Sequence, residues 1–330
     1  MDKKITVKST LLFLVILFLT TYAYGFFILF PQWKEIGSIG ALNLGPVMLL
    51  PALAVVVTKL ITREGLWDKS LNPSFVKGRR IYYLLSWFLP FLLCLLGAVL
   101  YFIFNRSVFS YDLEYYMGVL KKQGTVTDAA IIRKSLLSSM ISNIIFAPVL
   151  NVVTCFSEEW GFRGFLLSGF KKLMGLPLAV ILSGFIWGLW YLPLTVMGHN
   201  YGVLYKGYPL TGVLAMCIFC IFTGICFSFV RVRTGSIWPA VIAHGSLNAF
   251  ASIGIYFTRD GGNPFIGPSV TGLIGGLPII ILSLAVFVKM LKDPGEREII
   301  ANEKEKSLPT DRKVEIREAQ RKMPENKEKP

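Results

Sequence analysis

Glu158 and Glu159 stand side by side inside an apolar run, followed by Trp160, Gly161, Phe162 and Arg163. An ionisable side chain near the middle of a bilayer costs about 2.5–3.5 kcal/mol on insertion scales, so such groups are retained for a function or a partner. On a helix Glu159 and Arg163 lie one turn apart on the same face, where carboxylate and guanidinium can pair. Glu158 points about 100° away round the helix and is left as the spare carboxylate. His244 and Asn248 repeat the i, i+4 spacing further along the chain, presenting an imidazole and a carboxamide on one face. A structural salt bridge and ordinary interhelical hydrogen bonding are the alternatives to a catalytic reading of these groups.

These side chains need a membrane scaffold. The chain has 330 residues, 54% of them hydrophobic, with a mean hydropathy of +0.58. That composition excludes an ordinary soluble enzyme and predicts an all-α, polytopic membrane protein. Segments of roughly 20 apolar residues, long enough to span, are read at Leu11–Phe30, Ala41–Ile61, Ile81–Phe104, Ser138 to Phe165, Leu176–Met197, Leu210–Val230, Ser236–Phe257 and Gly267–Met290. This gives about eight transmembrane helices, with the polar groups and a cavity among helices four to seven. By the helical rise Glu158, His244 and Tyr191 share one layer, whereas His199 falls about 12 Å further outward, in a loop.

The organisation follows from the spans. Residues 1–134 hold amino-terminal helices and loops, 135–257 the polar core, 258–291 a last transmembrane helix and 292–330 a charged tail. Tyr22-Ala23-Tyr24-Gly25 offers bulky aromatics where a cleavable signal needs small residues, so the first span is read as retained. Arg63, Arg79, Arg80, Lys171, Lys172, Arg231 and Arg233 then lie inside by the positive-inside rule. Both termini are expected in the cytoplasm, with the protein integral to the cell membrane.

A net charge of +14 raises the question of nucleic acid, but the distribution answers it. From Lys292 to Pro330 there are 11 basic and 10 acidic residues, a balance of +1, which leaves +13 on the membrane region. That excess faces anionic lipid, so lipid and membrane-associated peptide or protein are the expected partners and nucleic acid is not. The tail, polar and of mixed sign without aromatics, reads as disordered or loosely helical. Cys94, Cys155, Cys217, Cys220 and Cys226 all fall in apolar spans and read as packing residues, not as disulfides.

In these features the chain resembles the CPBP family, the CAAX-protease and bacteriocin-processing intramembrane endopeptidases also called the Abi family. Glu158-Glu159-x-x-x-Arg163 matches the family's first motif and His244-x-x-x-Asn248 its last, in the right order. The resemblance covers roughly residues 135–255. It implies that Glu158 is general base on a water that attacks a peptide carbonyl, that His244 and Asn248 donate to the oxyanion, and that Glu159 is held by Arg163.

Between those motifs the family places a histidine where this chain has Tyr191. A phenol can donate a hydrogen bond to substrate or water but is a poor metal ligand. Catalytic zinc takes about three protein ligands, and His244 would be the one imidazole available, so no cofactor or metal is expected. The alternative of a catalytically silent relative, acting as membrane scaffold or immunity factor, stays open. A small-solute transporter is the third reading; the sequence offers no inverted repeat in its favour.

Overall fold

The structure, a computed structural model, describes residues 3–76, 78–124 and 128–292. The tail read from the sequence lies, beyond Lys292, outside the described residues. Helix α1 (Lys3–Tyr24) passes through a π turn, Gly25–Leu29, into α2 (Phe30–Ile36), and α3 spans Gly45–Ile61. The long α4 (Arg80–Phe104) and short α5 (Glu114–Lys122) follow. Next come α6 (Ala129–Leu150), α7 (Val152–Glu159), a π segment over Trp160–Leu166 and α8 (Leu167–Met174). The remainder is α9 (Leu176–Trp190), α10 (Leu192–Val196), α11 (Leu210–Thr234), α12 (Trp238–Phe250), α13 (Ile253–Tyr256) and α14 (Leu277–Lys292).

Four of these stretches are long and apolar enough to cross a membrane: Thr6–Ile36, Arg80–Phe104, Ala129–Leu150 and Leu210–Thr234, with Gly45–Ile61 and Leu176–Trp190 as shorter apolar helices. The burial pattern is that of a protein dissolved in lipid. Leu11, Leu19, Leu96, Ile145 and Leu150 are exposed, while Glu158, Glu159, Arg163 and His244 are buried. The chain is an all-α, polytopic integral membrane protein.

The expected spans do not map one to one onto helices. The fourth is split at Asn151 into α6 and α7, the fifth at Tyr191 into α9 and α10, and the seventh after α12. Two breaks have the same cause. Pro148 has no N–H to give the carbonyl one turn earlier, and Trp87 Nε1, on α4, donates to that Ile144 carbonyl at 2.9 Å instead. Pro193 likewise leaves the Leu189 carbonyl free, and the Tyr22 hydroxyl of α1 donates to it at 2.8 Å. A backbone acceptor in lipid must find a donor, and here each finds one on another helix.

Helices α9 and α11 make the most extensive helix contact in the bundle. Its seam is glycine: a Cβ on Gly184 would lie 2.7 Å from Ile221 Cα, and one on Gly188 2.4 Å from Cys217 Cα. Such small residues spaced one turn apart let backbones touch, which is how helices associate when the solvent is as apolar as the side chains. The contact holds α9 against the core and so fixes where Trp187 points.

Candidate active site

The acid pair sits at the carboxyl end of α7, just before the π segment. A π turn re-aims side chains relative to an α-helix and is common at functional sites. The two glutamates point into different partners. Both are 0% exposed.

Glu159 Oε1 accepts from Arg163 Nη1 at 3.1 Å, the pairing expected from the spacing, and also lies 2.9 Å from His244 Nδ1 on α12. The guanidinium is further held over aromatic faces, its Cζ 4.1 Å from the Trp187 centroid and 5.3 Å from that of Phe227. Such contacts stabilise a cation that has left water. Glu158 Oε2 accepts from Trp187 Nε1 at 2.9 Å and, more weakly, from the Tyr191 hydroxyl at 3.4 Å. Glu158 Oε1 has no protein partner among the described residues.

Next to this cluster lies a cavity of about 250 Å³, lined among others by Trp187, Tyr191, His199, Leu247, His244 and Asn248. Asn248 is exposed, its Nδ2 3.7 Å from Cys155 Sγ. Glu158 is not in the cavity lining; Trp187 and Tyr191 form the wall in front of it. All six residues singled out from the sequence therefore converge, five in direct contact around the acids and Asn248 lining the same cavity as Tyr191 and His244. All five cysteines are free thiols.

Three features were not read from the sequence. Trp187 is the closest donor to Glu158, and its i, i+4 relation to Tyr191 on one face was the available signal. His244 spends Nδ1 on Glu159, so only Nε2 is left to face the cavity. His199 is not displaced outward. After α10 the chain turns back at Gly198, with φ +94, and the His199 amide donates to the Leu194 carbonyl at 3.0 Å. The imidazole then stacks on Tyr191, centroids 5.6 Å apart and planes within 3°. The rise along a continuous helix misplaced it because the helix does not continue.

No group of three or more His, Cys, Asp or Glu side chains is arranged to hold a metal among the described residues.

Comparison with known proteins adds an independent line. Residues 139–250 match the family model described as type II CAAX prenyl endopeptidase Rce1-like. The matched stretch, about a third of the chain, contains both motifs. No curated protein matches the chain.

Proposed function

We propose that this chain, an all-α membrane bundle whose residues 139–250 carry a Rce1-like CPBP module, is an intramembrane endopeptidase that hydrolyses a peptide bond by a glutamate-activated water. The observation that carries the reading is the buried set Glu158, Glu159, Arg163 and His244 beside a largely apolar cavity into which Tyr191, His199, His244 and Asn248 bring polar groups. Four ionisable groups at this depth would be costly unless their arrangement served chemistry.

Glu158, anchored through Oε2 by Trp187, uses the unpartnered Oε1 to take a proton from water as the oxygen attacks the carbonyl carbon. Asn248 and the Nε2 side of His244 face the developing oxyanion. Both ring nitrogens of His244 are then in use, Nδ1 on Glu159 and Nε2 on the oxyanion. The tetrahedral intermediate collapses as the leaving amine takes the proton from Glu158. Tyr191, whose hydroxyl reaches Glu158 from the cavity wall, positions the water, and His199 fixes the plane of its ring.

This mechanism is metal-independent. Its substrate is a membrane-associated peptide or protein, its other partner is lipid, and both termini lie in the cytoplasm. The catalytically silent alternative rests on one observation, the phenol of Tyr191 where the family places an imidazole. Purified protein tested on a panel of membrane-tethered peptides, beside Glu158→Ala, decides between the two. Glu158-dependent cleavage supports the protease, and absence of cleavage on every substrate supports the scaffold.

A further inference from the structure

A second cavity, of about 420 Å³, opens at the basic end of the bundle, away from the one beside His244. Its lining includes Lys69, Arg79, Arg163, Lys171 and Arg231 and, among the described residues, no Asp or Glu. These cations come from separate places in the chain: a short turn before α4, the residue preceding α4, the π segment, the last turn of α8 and the last turn of α11. A basic last turn is ordinary helix capping for Lys171 and Arg231 taken singly. The presence of Arg79 and Arg163 beside Arg231 on the same cavity is not explained by capping.

Their donors are organised around that space. Arg79 Nη1 is fixed by the Ser74 hydroxyl and the Thr234 carbonyl, each at 3.1 Å, which ties the start of α4 to the end of α11. Arg163 is 1% exposed, and its Nε and Nη2 have no hydrogen-bond partner among the described residues; nor does Nε of Arg231. Asp68, the acid nearest in sequence, is engaged by Lys59 Nζ at 3.5 Å and by the Ser70 amide at 2.8 Å, and its charge also acts on Arg231. The hydroxyls of Ser74 and Ser168 add neutral donors to the wall, while that of Ser70 is given to Asp68.

We propose that this cavity is a binding site for a phosphate group, held by Arg79, Arg231 and the inner edge of Arg163. Guanidinium forks match phosphate oxygens in geometry as well as charge, and the volume admits a phosphodiester headgroup as readily as a free phosphate. The opposite edge of the Arg163 guanidinium holds Glu159. The site stands whether or not the chain is a protease, because its test reads stability.

The experiment follows the melting temperature of the purified full-length protein in a zwitterionic detergent. It is titrated with inorganic phosphate against chloride at matched ionic strength, and separately with phosphatidylglycerol against phosphatidylcholine. A ligand that binds only the folded state raises the melting temperature saturably. The expected result is a saturable rise of a few degrees, lost in Arg231→Gln. A rise with phosphatidylglycerol alone assigns a lipid headgroup, and a rise with inorganic phosphate assigns a soluble phosphate ligand; both support the site. Ser168→Asp guards against a misfolded variant, since a carboxylate set among the cations should melt higher than the parent and no longer respond. Equal responses to phosphate and chloride, no response to either phosphate source, or full responses retained in both variants would overturn the proposal.

Discussion

Trp187 Nε1 donates to Glu158 Oε2 at 2.9 Å, and the same indole carries the Arg163 guanidinium on its face at 4.1 Å. One ring thus anchors the spare carboxylate and shields the cation that neutralises its neighbour. Glu158→Gln keeps an oxygen for the indole but cannot take a proton from water. It should abolish peptide cleavage while leaving the melting temperature within a few degrees of the parent. Wild-type turnover in a purified Glu158→Gln preparation would eliminate the proposed base.

Glu159 joins Arg163 and His244 through a single oxygen. Removing one partner of a buried ion pair typically costs about 3–5 kcal/mol because the other charge is stranded. Glu159→Ala and Arg163→Ala should each destabilise by that order, and the double replacement by less than their sum. Thermal unfolding of the four proteins in detergent checks this, and strict additivity would count against the pair.

Tyr191 touches Glu158 and His199 at once. Tyr191→Phe removes the hydroxyl and keeps the stack, so turnover should fall roughly tenfold or more, in the range of a lost catalytic hydrogen bond, with stability unchanged. Tyr191→His should preserve or raise turnover, and chelators should leave the parent unaffected. If the parent is inert and Tyr191→His alone creates Glu158-dependent activity, the chain is the scaffold and the enzyme reading fails.

His199→Ala tests the fold-back of the chain after α10. Loss of the stacked ring frees the phenol, so turnover should drop several-fold. His199→Phe, which keeps a flat ring, should recover most of it. Equal loss in both variants would show that the imidazole acts by its nitrogens and not by its plane.

Gly188→Ala places a methyl 2.4 Å from Cys217 Cα, where only backbone movement makes room. Overpacking of this kind costs about 1–3 kcal/mol. Because Trp187 is the adjacent residue on α9, turnover should fall together with the melting temperature. A stable, fully active Gly188→Ala protein would mean that the helix seam does not position the indole.

Side-chain chemistry and helical spacing made much of this site legible. The pairing of Glu159 with Arg163, the different direction of Glu158 and the shared layer of Tyr191 and His244 all follow from residues per turn. What stayed hidden depends on the helices ending. The return of His199 required knowing that Pro193 and Gly198 turn the chain, and the contact of His244 with Glu159 required the angle between α7 and α12. The segments that overran their helices, such as 267–276 ahead of α14, are apolar without being helical, and hydropathy alone does not separate the two.

The two proline breaks carry an implication for how this sequence can change. Each bend is specified twice, once by the residue that withholds a hydrogen and once by an aromatic donor on another helix that replaces it. The donors are Trp87, 57 positions before Ile144, and Tyr22, 167 positions before Leu189. Restoring an amide at Pro148 would leave the Trp87 indole competing for an occupied carbonyl, and losing the indole would leave that carbonyl bare in lipid. Each proline and its donor are therefore expected to be inherited as a pair, so that among descendants of this chain a bend is kept whole or lost whole.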